Sequence, residues 1–473
     1  MEMSETLHAV DDFANADLGD PRRNKRLAAI VAQATATPAG TITGTFKNTA
    51  AREGAYRFLG NEAVDAEAVR AAAAHAGFSR AVGLPYVFLP CDASTLTLSS
   101  VPDGSEMGPV GNTWSTELGA QVMSGIIVSP NGVTLGTAGQ TYWARERQPR
   151  RSRTKAYMSA KTEKRSKRST QRPISEKETR HWGTVMEQAI VSAQEAGFVG
   201  KLWYQLDAGA DFAHLLASAT LLSPWLTVRT KNPRSLFEET GLLADKVLEA
   251  APVGTMTVSV SENGNRAARE ATLELRYAPV ILKLKPRGAG GTIPAPLFAV
   301  HAREISPLPS GAEPIDWLLL TNKPGATLAD AKLVVFGYST RWRIEEVHKT
   351  WKSVTKVEAS GLQSLNGFTL WATILFSIAI RIERLKYFAR EQPDAPATAE
   401  LEQHEVDALH VLRGSATTGK RVPPLPIGLA VRWIADLGGY MNPRKGPPGS
   451  ITIARGLQYL RLFAHGLREG RNK

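Results

Sequence analysis

The sequence predicts a mixed α/β central domain that carries a β-strand insertion and is flanked by helical N- and C-terminal domains. Three observations lead to this. Two apolar runs, Tyr86 to Leu89 and Lys201 to Leu206, read as buried strands that run towards an aspartate, Asp92 and Asp207, with helical periodicity between them at His181 to Glu195. From Thr255 to Leu320 the pattern is strand-like (TMTVSVS, ATLELRYAPVILKLK, LFAVHAREI, WLLLTN), with turn signals at Glu262-Asn263-Gly264 and at Gly288 to Gly291. Both ends read as helical, through LGDPRRNKRLAAIVAQA near the start and Ile453 to Leu467 near the end. The expected boundaries are 1–65, 66–390 (insertion about 225–322, a basic loop about 145–180) and 391–473. With 473 residues, 43% hydrophobic, the chain can bury two or three cores.

Charge and cysteine content narrow the function. Lys+Arg 57 against Asp+Glu 45 gives a formal net charge of +12, which points to a polyanionic partner, nucleic acid before membrane. A single cysteine, Cys91, excludes an internal disulfide and any multi-cysteine zinc site, and suits a reducing cytoplasm. The start MEMSETLHAVDDFANADLGD has no apolar core segment and is no signal peptide. The best membrane-span candidate, Leu370 to Ile382, is short and interrupted by Ser377 and Arg381, and is expected to be a buried helix.

Taken in order, Asp20 is an N-cap with Pro21 at the first helical position, and Arg22, Arg23 and Arg26 follow in the first turns, where guanidinium groups can reach a DNA groove or backbone or can simply be solvated. Asp92 after its strand can meet other carboxylates around a metal, or serve a turn. Gly119 to Gly139 alternates as strands do, with the hairpin signal Pro130-Asn131-Gly132. Arg145 to Arg180 then holds fourteen Lys or Arg against four Glu, an excess of ten, and is expected to be poorly ordered without DNA. Asp207 ends the second strand, and Asp211 is placed to cap or support the next helix. The strand in WLTVRTKNPR sends out Arg229, Lys231 and Arg234.

Tyr338 to Lys352, YSTRWRIEEVHKTWK, separates charge from apolarity. As one helix at about 100° per residue from Tyr338, Arg341 falls at about −60°, Glu345 at about −20° and Lys352 at about −40°, while Ile344, Val347, Trp351 and Val354 cluster on the opposite face. A carboxylate among a Tyr, an Arg and a Lys suits an anionic substrate held beside a cation: the carboxylate holds a divalent metal, and the cations neutralise phosphate oxygens. The plain alternative is a surface helix with solvated charge pairs.

The run Y-x-x-R-W-R-I-E-E-x-H-K-x-W-K resembles the glutamate helix of the Tn-five-type transposases, the cut-and-paste DDE enzymes of bacterial insertion sequences. Their signature of Tyr, Arg, Glu and Lys at relative positions 1, 4, 8 and 15 is matched by Tyr338, Arg341, Glu345 and Lys352. LGDPRR and EGAYRF, at Glu53 to Phe58, are similar to that family's domain for reading the terminal inverted repeat. L-D-A-G-A-D resembles the surroundings of its second catalytic aspartate, WLTVRTKNPR a phosphate-contacting segment, and the WLLLT motif, with Trp317, a platform for a flipped base. The resemblance implies a ribonuclease-H-like catalytic domain with a β insertion, in which Asp92, Asp207 and Glu345 hold two Mg²⁺ or Mn²⁺. It also implies roles at the scissile phosphate for Tyr338, Arg341, Lys352 and Trp317, and DNA contacts from Arg22, Arg23, Arg26, Arg229, Lys231 and Arg234. The implied partners are double-stranded DNA with terminal inverted repeats, target DNA, and a second copy in a homodimeric synaptic complex joined through the C-terminal region. No membrane is involved, and the location is cytoplasmic, at the bacterial nucleoid.

The chain departs from the family in its longer, more basic 145–180 tract and in having Ala208-Gly209 where relatives carry a charged pair. Glu345-Glu346-Val347-His348 contains an E-x-x-H, but di-iron bundles need two copies on facing helices; His404 and His410 are wrongly spaced for a helical metal pair. No Walker loop is present, so ATP is not implied. Two rivals remain: a metal-dependent nuclease that cuts without rejoining, and a non-catalytic DNA-binding inhibitor.

Overall fold

A computed structural model of the chain describes residues 11–112, 115–147, 177–219, 224–237, 239–260, 268–286, 291–414, 424–441 and 446–471. Most of the basic tract, the Glu262-Asn263-Gly264 turn, most of the Gly288 to Gly291 turn, Pro423 and the first ten residues lie outside this set.

The N-terminal unit is helical, as its caps dictate. Helix α1 (Pro21–Ala36) starts where the Asp20 carboxylate accepts from the Arg22 N–H at 2.8 Å. Asn48 and Asp65 do the same for α2 (Thr49–Leu59) and α3 (Ala66–Ser79). Strand β1 (Tyr86–Thr97) is longer than the apolar run suggested, so Asp92 lies within the strand and not beyond its end. Pairing between β1 and the antiparallel β2 (Leu118–Val128) lapses only at Leu89 and Pro90, where proline has no N–H to give. The Pro130-Asn131-Gly132 turn, with Gly132 at φ +86, leads from β2 into β3 (Thr134–Trp143).

Helix α4 (Arg180–Glu195) carries the chain back to β4 (Lys201–Leu206), parallel to β1; after α5 (Ala213–Ala219), β5 (Trp225–Arg229) is parallel to β4. The order β3–β2–β1–β4–β5, in which β2 runs opposite to the other four, is compatible with a ribonuclease-H-like core. The β-rich region extends this same sheet. After α6 (Leu243–Glu249), β6 (Pro252–Val260), β7 (Arg269–Leu284), β8 (Ile293–Glu304) and β9 (Asp316–Thr321) pair antiparallel in succession, and β9 closes onto β5.

Alternation along the buried strands divides the core. Val87, Leu89 and Cys91 face the cluster that holds Trp182 and Val185 of α4. Phe88 faces the other side, towards α7 (Leu328–Ser339), α8 (Trp342–Ser353) and α9 (Leu365–Glu391), and the period of two turns Asp92 to that side as well.

The apolar run at Leu370 to Ile382 is the middle of α9, a helix of 27 residues that is long and apolar enough to cross a membrane by length and composition. Its most apolar window is 89% buried within the fold, and its residues from Gly367 to Tyr387 are buried throughout. Both terminal regions dock on it. The Trp371 indole donates to the Gly40 carbonyl at 2.7 Å, and the Asn366 amide to Val64 O at 3.2 Å. From the C-terminal side, which comprises α10 (Gln403–Leu412), α11 (Ile427–Leu437) and α12 (Ser450–Arg471), Ser450 accepts from Lys386 of α9 at 3.2 Å, and Arg461 donates to Thr35 O at 2.7 Å and to Glu405 at 3.1 Å. Helix α12 thus packs on its own chain, a role the sequence left open beside dimerisation.

Candidate active site

Two parallel strands set the first half of the site. Pro90 of β1 stands opposite Gln205 of β4, and continuing that register by two residues brings Asp92 level with Asp207. Asp207 ends its strand by accepting the Gly209 N–H on Oδ1 at 2.8 Å, which starts a tight turn at Ala208–Ala210. The Ala208-Gly209 pair thus forms a turn and contributes no charge.

The second half comes from the junction of α7 and α8, which the sequence read as one helix. The chain breaks between them at Thr340 and Arg341. Three-residue backbone bonds (Thr340 to Gly337, Arg341 to Tyr338, Arg343 to Thr340) tighten the turn, and the Thr340 hydroxyl donates back to the Gly337 carbonyl at 2.6 Å. Tyr338 therefore belongs to the end of α7, and its angular relation to Glu345 on a single wheel does not hold. Gly337 lets α7 approach the sheet: a Cβ there would stand 2.6 Å from the Phe88 ring. Arg341 to Lys352 keep the expected relation.

Arg341 joins the two halves. Its Nη2 donates to Glu345 Oε1 at 2.8 Å, and Nη1 lies 3.6 Å from Asp92 Oδ2. The guanidinium also lies 4.9 Å from the ring centre of Trp342, which is 49% exposed, while Trp351 on the opposite face is fully buried. Burial, reinforced by the charge of Asp207, pushes the Asp92 carboxyl up to about 6; Arg341 opposes this and Glu345 adds to it. The Tyr338 hydroxyl is raised by burial, against the opposing pull of Arg341 and Arg229, and Asp207 is within electrostatic reach of it. Trp317, half-buried at the head of β9, meets the Tyr338 ring edge-on with centroids 5.1 Å apart. Lys352 donates to the Thr95 carbonyl at 2.6 Å and lies 3.6 Å from Glu358. Glu358 had no signal in the sequence, because its relation to Lys352 depends on the turn after α8.

The other basic residues divide by partner. Arg229 sits beside the site and donates to Asp316 O at 3.2 Å, while Lys231 is exposed. Arg234 grips Asp211, which also accepts from Thr230 at 2.6 Å and Asn232 at 2.7 Å; Asp211 thus organises the loop after β5. Far from this centre, Arg22 and Arg26 are exposed on α1, whereas Arg23 donates to Leu18 O at 2.8 Å and Ala63 O at 3.1 Å and ties the N-terminal unit together. His348 is a core residue: burial pushes it down to about 3, and it packs near Trp351 and Phe376.

Among the described residues no three His, Cys, Asp or Glu side chains stand close enough to grip one ion as arranged. Asp207 and Glu345 nevertheless both act electrostatically on Asp92, and Arg341 lies between Asp92 and Glu345 and offsets their charge. The donor set consists of carboxylate oxygens alone, and it raises one of its own members. Both features fit a hard divalent cation such as Mg²⁺ or Mn²⁺.

Two parallel strands bearing Asp92 and Asp207, with a helix that brings Glu345 beside Arg341, form an acidic site. Residues 134–380, over half of the chain, match the family model of the transposase DDE domain, and residues 7–64 match that of the transposase DNA-binding region. The chain belongs to the DDE transposase family. The matched DDE segment starts with β3, so it contains Asp207 and Glu345 but not Asp92. Among solved structures, a piggyBac transposase synaptic complex with hairpin DNA is similar at 8% identity and a TM-score of 0.27, over 65% of this chain and 47% of that one. The chain thus spans about half the length of that structure, and so slight a likeness carries no argument.

Proposed function

We propose that this chain is a Tn-five-type transposase that moves its element by cut and paste, with Asp92, Asp207 and Glu345 as the acidic centre. Two Mg²⁺ or Mn²⁺ held by these carboxylates would supply the Lewis acidity that activates water or a DNA 3′-hydroxyl for in-line attack and offsets charge on the leaving oxygen. Asp92 and Asp207 are fixed at adjacent strands, and Glu345 is turned towards them by Arg341. Arg341 and Lys352 neutralise non-bridging phosphate oxygens, and the Tyr338 hydroxyl hydrogen-bonds a phosphate. Trp317 offers its ring to a base flipped out of the duplex, and Arg229 and Lys231 track the backbone. Arg22 and Arg26 contact the terminal repeat, with Arg23 bracing the helix that bears them. Arg234 acts through its hold on Asp211.

The order of steps is nicking, hairpin formation at the transposon end, hairpin hydrolysis and strand transfer into target DNA. It runs in a synapse of two proteins and two ends, held by the 391–473 region, in which each site works on the end bound by its partner. The setting is the bacterial cytoplasm, at the nucleoid. What supports this reading is the parallel register of β1 and β4, which runs towards Asp92 and Asp207, together with Arg341 between Asp92 and Glu345 and the electrostatic influence of Asp207 on Asp92.

The test is to incubate the protein and Mg²⁺ with labelled DNA carrying the element's own inverted-repeat ends, beside Glu345→Gln. Hairpinned ends and strand-transfer products should appear with the parent and vanish with the variant while binding survives. Cutting without joining would make the protein a nuclease; binding without cutting by the parent would make it an inhibitor.

A further inference from the structure

Strand β1 outruns its parallel neighbour. Pairing with β4 ends at Pro90 and Gln205, β4 turns away at Asp207, and β1 continues to Thr97. Along that edge the odd-numbered residues present polar backbone groups that have lost their strand partner and must be satisfied otherwise. Side chains supply the missing partners: Ala93 N–H donates to Asp92 Oδ1 at 2.8 Å, Thr95 C=O accepts from Lys352 Nζ at 2.6 Å, and Thr97 N–H donates to Glu358 Oε1 at 3.0 Å. The edge that carries Asp92 is thus completed by three charged side chains in a row.

Glu358 stands in the short turn Val357–Ala359 that follows α8. The oxygen that accepts from Thr97 also lies 3.6 Å from Lys352 Nζ, and the two side chains are 33% and 32% exposed. We infer that Glu358 is a positioning residue for Lys352: fixed to the edge of β1, it holds the ammonium on the same strand edge that carries Asp92, so that an arriving phosphate meets a cation already oriented. This rests on the proposed role of Lys352 as a phosphate contact. The backbone bond from Thr97 fixes the carboxylate, and the carboxylate in turn limits where the flexible lysine stem can go. A pair as open to water as this one is weak, so Lys352 can exchange Glu358 for a phosphate oxygen when DNA binds. The preparation acts on rate: an ammonium that samples many rotamers loses the advantage of orientation at the reacting phosphate.

The test uses the full chain with Mg²⁺ and a duplex of the element's terminal inverted repeat, measuring single-turnover nicking and equilibrium binding for the parent, Lys352→Ala, Glu358→Gln and the double variant. Gln keeps an oxygen for the Thr97 N–H and removes only the charge. Glu358→Gln should bind the duplex at least as tightly as the parent, since a negative charge near the phosphates is gone, while nicking slows by roughly ten-fold. The double variant should nick no more slowly than Lys352→Ala alone, because Glu358 acts through the lysine. If the two losses multiply, Glu358 only completes the strand edge and the inference is wrong; nicking by Glu358→Gln at the parental rate overturns it equally. If Lys352→Ala itself nicks at the parental rate, the phosphate role of Lys352 fails first and the inference falls with it.

Discussion

Buried carboxylates occupy two regions of this molecule, and the two treat them oppositely. Around α9, Glu405 is raised by burial, yet Arg461 and Arg381 outweigh that and hold it at about 2. Asp12 pairs with Arg80, and Arg384 with Glu400 at 2.8 Å, in the same hub. Within β1, where β4 leaves it, burial again raises a carboxyl, but there the next largest influence is another carboxylate, and Asp92 moves up to about 6. A buried acid with a cation on either side holds the terminal helices to the core. A buried acid facing two more acids, with Arg341 the cation that offsets them, is poised to receive positive charge.

Substitution should separate the two regions by sign. Glu405→Gln leaves Arg381 and Arg461 buried without their counter-charge, and chemical denaturation should record a loss of about 3–5 kcal/mol. An unchanged midpoint would mean that the hub is not held by charge. The same pair sets a pH window. Because the folded Glu405 sits at about 2, below the roughly 4.3 of an unfolded glutamate, its stabilisation is present above the unfolded value and is lost as pH falls towards 2. The melting temperature of the parent should therefore fall through that acid range more steeply than that of Glu405→Gln.

Asp207→Asn should act in the opposite direction. It keeps an acceptor for the Gly209 N–H and removes the repulsion on Asp92, so stability should rise, by up to about 1 kcal/mol; a loss of stability would place Asp207 with the structural acids. The smallest contrast lies on α1. Arg22→Ala should reduce the salt dependence of end binding by about one unit of slope without moving the melting temperature, since its side chain is exposed. Arg23→Ala should lower the melting temperature, because two carbonyls lose their donor. Equal behaviour of the two would erase the distinction.

Much of the site was legible because its parts are local. The Asp20-Pro21 helix start, the spacing from Arg341 through Glu345 to Lys352, and the strands running towards Asp92 and Asp207 are written in neighbouring residues. What was not legible depends on contacts across the chain. The break at Thr340 needs a hydroxyl that turns back on Gly337, the span-like α9 is a core helix because both terminal regions fold over it, and Arg234 is committed to Asp211, 23 positions away in sequence. Nor could periodicity tell that the β-rich region continues the central sheet, since antiparallel strands alternate alike in a separate layer and in an extended one.

Asp92 lies outside the segment matched to the DDE domain and is placed by the register of β1 and by its neighbour Arg341, so it bears the central claim. The decisive measurement is nicking of inverted-repeat DNA by Asp92→Asn with Mg²⁺, alongside binding of the same duplex. The account predicts that binding persists while nicking falls by at least the roughly 10²–10³-fold that follows loss of one preorganised electrostatic contact to a transition state. Nicking at the parental rate would show that Asp92 is no part of the acidic centre.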